Sequence, residues 1–271
     1  MSASSFDPPG GSPSEVPTIL IACETVEDEI RRALASTGLD YPVVWLEGGL
    51  HNFPDKLRSR LQEIFSEADS RCRRLVVSLG FCGGGVSGLR TGGYETVLPL
   101  ADDCLSLMLG SMEARKQVSR PATYFLTAGW MRHESNVVAS YEHLVARYGR
   151  QKADRINKLM MKNYRRFGLV ATGCYDLSEA AEKIRPLADL MEMSVENVGG
   201  SDSWLRDLLT GPHDDPSRFL VVPPRSELNF DSWSDLVMGS PQSPQAPRSA
   251  QSAQTPQAVP AAGPAGAPVH P

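Results

Sequence analysis

No apolar run in this chain approaches the roughly 18 residues that would suggest a membrane span. Charge of one sign is also missing. With 27 Lys and Arg against 32 Asp and Glu, the net charge is −5, so no global field draws the chain to nucleic acid or an anionic membrane. Cysteine is scarce and irregular: five residues, an odd number, with no C-x-x-C pair. That spacing disfavours a closed zinc knuckle and a disulfide framework alike. The first sixteen residues, MSASSFDPPGGSPSEV, have neither a basic start nor an apolar core, so no secretory signal is expected. Reduced thiols in a cytoplasmic protein are the natural expectation. The Walker A signature is absent as well.

Two ends of the chain differ in composition from its middle. Residues 1–16 and 238–271 are rich in Pro, Ser, Gly, Ala and Gln, too poor in apolar area to offset chain entropy, and are expected to be disordered. Between them, residues 17–237 alternate short apolar runs with helical patterns, the signature of βαβ units. The expected fold is α/β: two Rossmann-like lobes of mostly parallel strands, about 17–122 and 123–237, with a cleft between them. Gly38 should stop the first helix and Pro54 should open the second, whose face is Leu57, Leu61, Ile64 and Phe65. A long helix is expected from Ser140 to Tyr164, and Phe219–Val222 reads as a late strand of the second lobe.

Chemistry concentrates where the apolar runs end. Cys23, His51, Cys82, Cys104 and Cys174 each close or follow such a run, and parallel strand ends share the edge along which open α/β sheets bind ligands. His51, Cys82, Cys104 and Cys174 are therefore candidate metal ligands, with Cys23, beside Glu24, of the same kind. Imidazole and thiolate together suit zinc with one open position. Cys72 lies among arginines before a strand, hence at the opposite edge. Gly83, Gly84 and Gly85 follow Cys82. They let the backbone approach a ligand closely, or they simply make a tight turn around an inert thiol. Asp102 and Asp103 can cap a helix that starts near Cys104, whose first turn would favour thiolate. Together with Glu47 they are candidates for orienting ligands or moving protons. Residues 148–164 read as a solvated helix face, with a minority reading in which Lys152, Asp154 or Lys158 holds an anion.

Five stretches carry a resemblance: Ile21-Ala-Cys-Glu-Thr, Trp45-Leu-Glu-Gly-Gly-Leu-His-Asn, Gly80-Phe-Cys-Gly-Gly-Gly, Asp102-Asp-Cys-Leu-Ser-Leu-Met-Leu-Gly-Ser and Tyr124-Phe-Leu-Thr-Ala-Gly-Trp. Together they are similar to the family catalogued as domain of unknown function 1638, over most of residues 18–230. The resemblance names no reaction. It implies a setting near corrinoid-dependent methyltransferases of the methylamine and betaine type. Three readings follow. The first is a zinc protein of one-carbon or methylated-amine metabolism, a methyl-transfer enzyme acting on a small molecule, with a corrinoid protein or methyltransferase as partner and the corrinoid as partner-bound substrate. The second is a non-catalytic accessory protein that binds a small molecule or the corrinoid. The third is a metal-free enzyme with Cys82 or Cys104 as nucleophile. The cobalt-ligating pattern D-x-H-x-x-G is absent, which argues against ligation of cobalt in that mode.

Overall fold

A computed structural model describes residues 17–69 and 71–228. The expectations for residues 1–16 and 238–271 lie outside the described residues. Among the described residues no helix is long and apolar enough to cross a membrane.

The first sheet is built from β1 (Thr18–Cys23), β2 (Val43–Leu46), β3 (Arg74–Ser78), β4 (Glu95–Pro99) and β8 (Phe219–Val222), in the order β2-β1-β3-β4-β8. The first four are parallel and β8 runs antiparallel to β4. Alternation along β1 sends Ile19 and Ile21 to one face and Leu20 and Ala22 to the other. Helix α2 (Pro54–Ala68) covers the first face with Leu57, Leu61 and Phe65. Helices α1 (Glu27–Thr37) and α9 (Ser203–Thr210) cover the second with Ile30, Leu205 and Leu208. Gly38, at φ +70°, ends α1 in the left-handed conformation, and Pro54 occupies the first turn of α2.

A short helical segment, α3 (Cys104–Met108) and α4 (Met112–Val118), leads to the second sheet of β5 (Thr123–Leu126), β6 (Arg166–Ala171) and β7 (Ser194–Gly199), all parallel. Helix α8 (Ser178–Met191) packs Ile184 and Leu187 against Phe167 and Leu169. The other face of this sheet places Val170 and Val198 in the same apolar cluster as Leu20 and Val76 of the first lobe. The halves therefore share a core along a packed seam.

Two expectations are corrected. The late strand at Phe219–Val222 exists, but it completes the first sheet; the second lobe is an excursion from the first, not the remainder of the chain. The long helix is two: α6 (Val137–Tyr148) and α7 (Arg150–Met161), broken at Gly149 with φ +76°. This break has a testable sign. In a continuous helix Gly149→Ala would gain about 1 kcal/mol; here urea unfolding should show a loss of about 1 kcal/mol, because alanine is strained at positive φ.

Candidate functional site

Cys23 is the last residue of β1, in register with Leu46, the last residue of β2. The loop after β3 is tied to the loop after β4: Phe81 N–H donates to Ala101 O at 2.8 Å and Cys82 N–H to Asp102 O at 3.2 Å. Such close approach requires Gly80, where a Cβ would lie 2.7 Å from Asp103 Cα. Cys82 itself adopts φ +47°, an uncommon conformation for a residue with a side chain. The result is that Cys23, Cys82 and Cys104 meet at the carboxyl edge of β1, β3 and β4.

Burial dominates their electrostatics. It pushes the Cys82 thiol well up, and the neighbouring Cys23, Asp103 and Asp102 add to the rise. Cys104 is raised by burial, then by Asp103, Cys82 and Cys23, with Thr25 opposing. Cys23 is also raised by burial, although Thr25 Oγ1 donates to its sulfur at 3.1 Å. Burial and the neighbouring Asp103 thus run against the expectation of a thiolate at Cys104. Helix α3 spans only five residues, so little dipole is available to oppose the burial and the neighbouring carboxylate. Cys72, at the opposite edge as expected, is raised to about 11 by burial and Asp69.

The remaining candidates divide. Asp103 is the N-cap of α3, accepting from Ser106 N–H at 3.0 Å, and its other oxygen accepts from buried Arg115 at 3.3 Å. Burial raises its pKa, Arg115 pulls it back, and Asp102 raises it again. Asp102 accepts from Asp103 N–H at 2.9 Å and from the Ser106 hydroxyl. Both aspartates therefore brace the Cys104 turn. Glu47 is exposed at the end of β2. Gly83 and Gly84 turn at φ +67° and +92°, Arg58 donates to Gly84 O at 3.0 Å, and a Cβ on Gly85 would strike Leu57 at 2.5 Å. These contacts match a tight turn laid on α2. Cys174 stands apart from the three thiols, at the end of β6, where Glu29, Arg32 and Asp202 are its charged neighbours. On α7, Lys152 sits 4.6 Å over the Tyr148 ring and Asp154 accepts from Tyr141 at 2.5 Å, so both are engaged on their own helical hairpin.

His51 lies in a 3-10 turn, Leu50–Asn52, after β2. Desolvation lowers its pKa, and His133 opposite lowers it further. Three residues of the second lobe, not taken as site residues from the sequence, complete this side. In α5 (Ala128–Arg132), Trp130 packs 5.7 Å from the His51 ring, and His133 stacks on Trp130 at 5.1 Å and 6°. Gly129 passes so close to the first lobe that a Cβ would lie 2.4 Å from Thr25 O. The available signal was the stretch Thr127-Ala-Gly-Trp130, a strand end like the others but without a cysteine or histidine of its own. Among the described residues, no three His, Cys, Asp or Glu side chains are arranged closely enough to hold a metal ion as they stand.

Comparison with curated proteins and with solved structures returns no match. A family model does match, across residues 45–209, which takes in the His51 turn, the Cys82 and Cys104 loops and most of the second lobe. The chain belongs to the family described as Protein of unknown function (DUF1638).

Proposed function

We propose that the carboxyl edge of the first sheet is a Cys/His metal centre, with zinc as the metal, in a cytoplasmic protein of corrinoid-linked one-carbon or methylated-amine metabolism. The observation that carries this reading is the convergence of Cys23, Cys82 and Cys104 from three adjacent strand ends. Three thiols, with a histidine on the neighbouring turn, are a zinc-type donor set, and Cys23 takes the place first given to Cys174. The thiols stand near one another but not in ligating geometry, so metal would have to draw the side chains inward. All five cysteines are free, in keeping with a reducing compartment.

Raised thiol pKa values weigh against the rival in which Cys82 or Cys104 attacks alone, since that chemistry needs a thiolate. A bound cation reverses the balance, because it stabilises the ionised sulfurs. Zinc in such a set supplies Lewis acidity that keeps a substrate thiol ionised at neutral pH. The class of reaction this would serve is methyl transfer to a thiol, in which the thiol proton passes to solvent and the donor keeps the electron pair of the bond that breaks. A corrinoid on a partner protein is the donor or acceptor class this reading names.

The test is metal analysis of protein purified without chelator. Near-stoichiometric zinc is expected in the wild type and in Cys174→Ser, with loss in Cys82→Ser and Cys104→Ser. Folded, metal-free wild type that takes up no added zinc would overturn the reading.

A further inference from the structure

The loop that carries His51 is held from both lobes, and its ring contacts come from the second. Among the described residues the His51 ring nitrogens have no hydrogen-bond partner, and the residue is exposed, so its orientation rests on ring contacts. Trp130 provides that contact at 5.7 Å and a 50° tilt. Behind Trp130, His133 lies flat against the indole, and its Nδ1 accepts from Ser135 N–H at 3.1 Å. That bond leaves the neutral ring protonated at Nε2, so His133 is a donor there rather than a metal ligand. Its ring rests on the two glycines at the start of the His51 loop. A Cβ at Gly48 would lie 2.5 Å from His133 Cδ2, and one at Gly49 would lie 3.1 Å from Cε1. The same loop is secured from the first lobe by Gly48 N–H, which donates to Glu24 Oε2 at 3.2 Å.

From this arrangement we infer that Trp130 and His133 are positioning residues of the second lobe that aim the His51 imidazole at the thiol edge, its two nitrogens left free for a ligand. Gly48 and Gly49 are then the seat of the His133 ring. The inference rests on the metal-centre reading only for what His51 is aimed at; the bracing itself stands on the ring geometry. An exposed side chain on a surface turn would otherwise sample several rotamers, and ordering it in advance removes that entropy from ligand binding.

Two measurements separate the bracing from the metal. The first is the histidine Cε1–H spectrum of the metal-free protein, with the His51 signal assigned through His51→Gln. Trp130→Ala and His133→Ala should each move that signal toward its random-coil position and sharpen it, while Trp130→Phe, which keeps a ring, should restore most of the shift. Thermal melts identify any variant that fails to fold, and His133→Ala, which leaves the α5 packing in place, then decides. An unmoved His51 signal in folded Trp130→Ala or His133→Ala overturns the inference. The second measurement is the absorption of the cobalt(II)-loaded protein. Sulfur-to-metal charge transfer should persist in Trp130→Ala while the ligand-field bands shift and affinity falls about 10- to 100-fold, the usual effect of losing a residue that orients a ligand. Wild-type protein that binds no cobalt defeats the metal-centre reading, and the histidine spectrum still decides the bracing.

Discussion

Replacing Asp103 with alanine is expected to cost about 2–3 kcal/mol in urea unfolding, more than any other change at the thiol edge. Two losses combine. The cap of α3 goes with the carboxylate, worth about 1 kcal/mol. Arg115 keeps its charge while losing its carboxylate. Its side chain is only 7% exposed, against 36% for that of Asp103. Breaking a fully buried pair costs about 3–5 kcal/mol. Here the open side of Asp103 lets solvent screen part of that, and Arg115 retains Ser119 and the Phe125 ring, 4.6 Å away. Asp103→Asn should recover the cap but not the ion pair, and so fall between. Asp102→Ala should cost less, about 1 kcal/mol, since it removes two hydrogen bonds and no buried ion pair. The comparison also decides what Asp103 is for. A variant as stable as wild type, yet defective in metal uptake, would return the residue to ligand chemistry.

Glu29 should give the strongest pH effect. It lies on α1, is 1% exposed, and its Oε1 accepts from Thr172 Oγ1 of the second lobe at 2.8 Å. Burial raises its pKa, the Thr172 and Tyr175 hydrogen bonds oppose, and the adjacent Asp28 adds to the rise. The folded protein thus holds this proton to higher pH than the unfolded chain, whose glutamate titrates near about 4.3. Its contribution to stability is complete below that point and is lost as pH rises through the folded-state value. Glutamine carries the neutral shape at every pH. Glu29→Gln should therefore gain on wild type as pH is raised above about 4.3 in a series of urea titrations. Parallel curves for the two proteins would refute the assignment. Glu29→Ala should lose about 1–3 kcal/mol at low pH, because the Thr172 hydroxyl is left buried without its acceptor, and that deficit should shrink as pH rises. Neighbouring contacts, Asp28 with Arg132 at 2.7 Å and Arg32 with the Gly173 carbonyl, make α1 the polar side of the seam.

Local chemistry was legible where one residue decides one event. Gly38 stops α1, Pro54 opens α2 and Asp103 caps α3, each a consequence of a side chain acting on its own backbone. The strand ends were legible too, because apolar runs closed by a polar residue mark where a buried strand reaches the surface. Pairing was not. The run at Phe219–Val222 reads the same whichever sheet it joins, and its partner is β4, 120 to 126 residues earlier in the chain. For the same reason the sequence did not show that Cys174 follows a strand of a different sheet from Cys23, Cys82 and Cys104. Strand β6 delivers Cys174 to α1. Gly149 was hidden because a single glycine inside an amphipathic stretch does not by itself end a helix. His133 ends no strand at all. Its role depends on two glycines some eighty residues earlier, a relation that only the folded chain displays.

The return of β8 to the first sheet has a consequence for the order in which the protein is made. β4 ends at Pro99 and its outer neighbour begins at Phe219, with the second lobe between them. At a synthesis rate of about 5–20 residues per second, β4 emerges from the ribosome roughly ten seconds before the strand that covers it. Throughout that interval Thr96, Val97 and Leu98 present an unpaired backbone edge, the kind of surface on which strands of other chains add. A nascent chain is therefore most exposed to misassembly while its second lobe is being translated, and chaperone capture would act in that window.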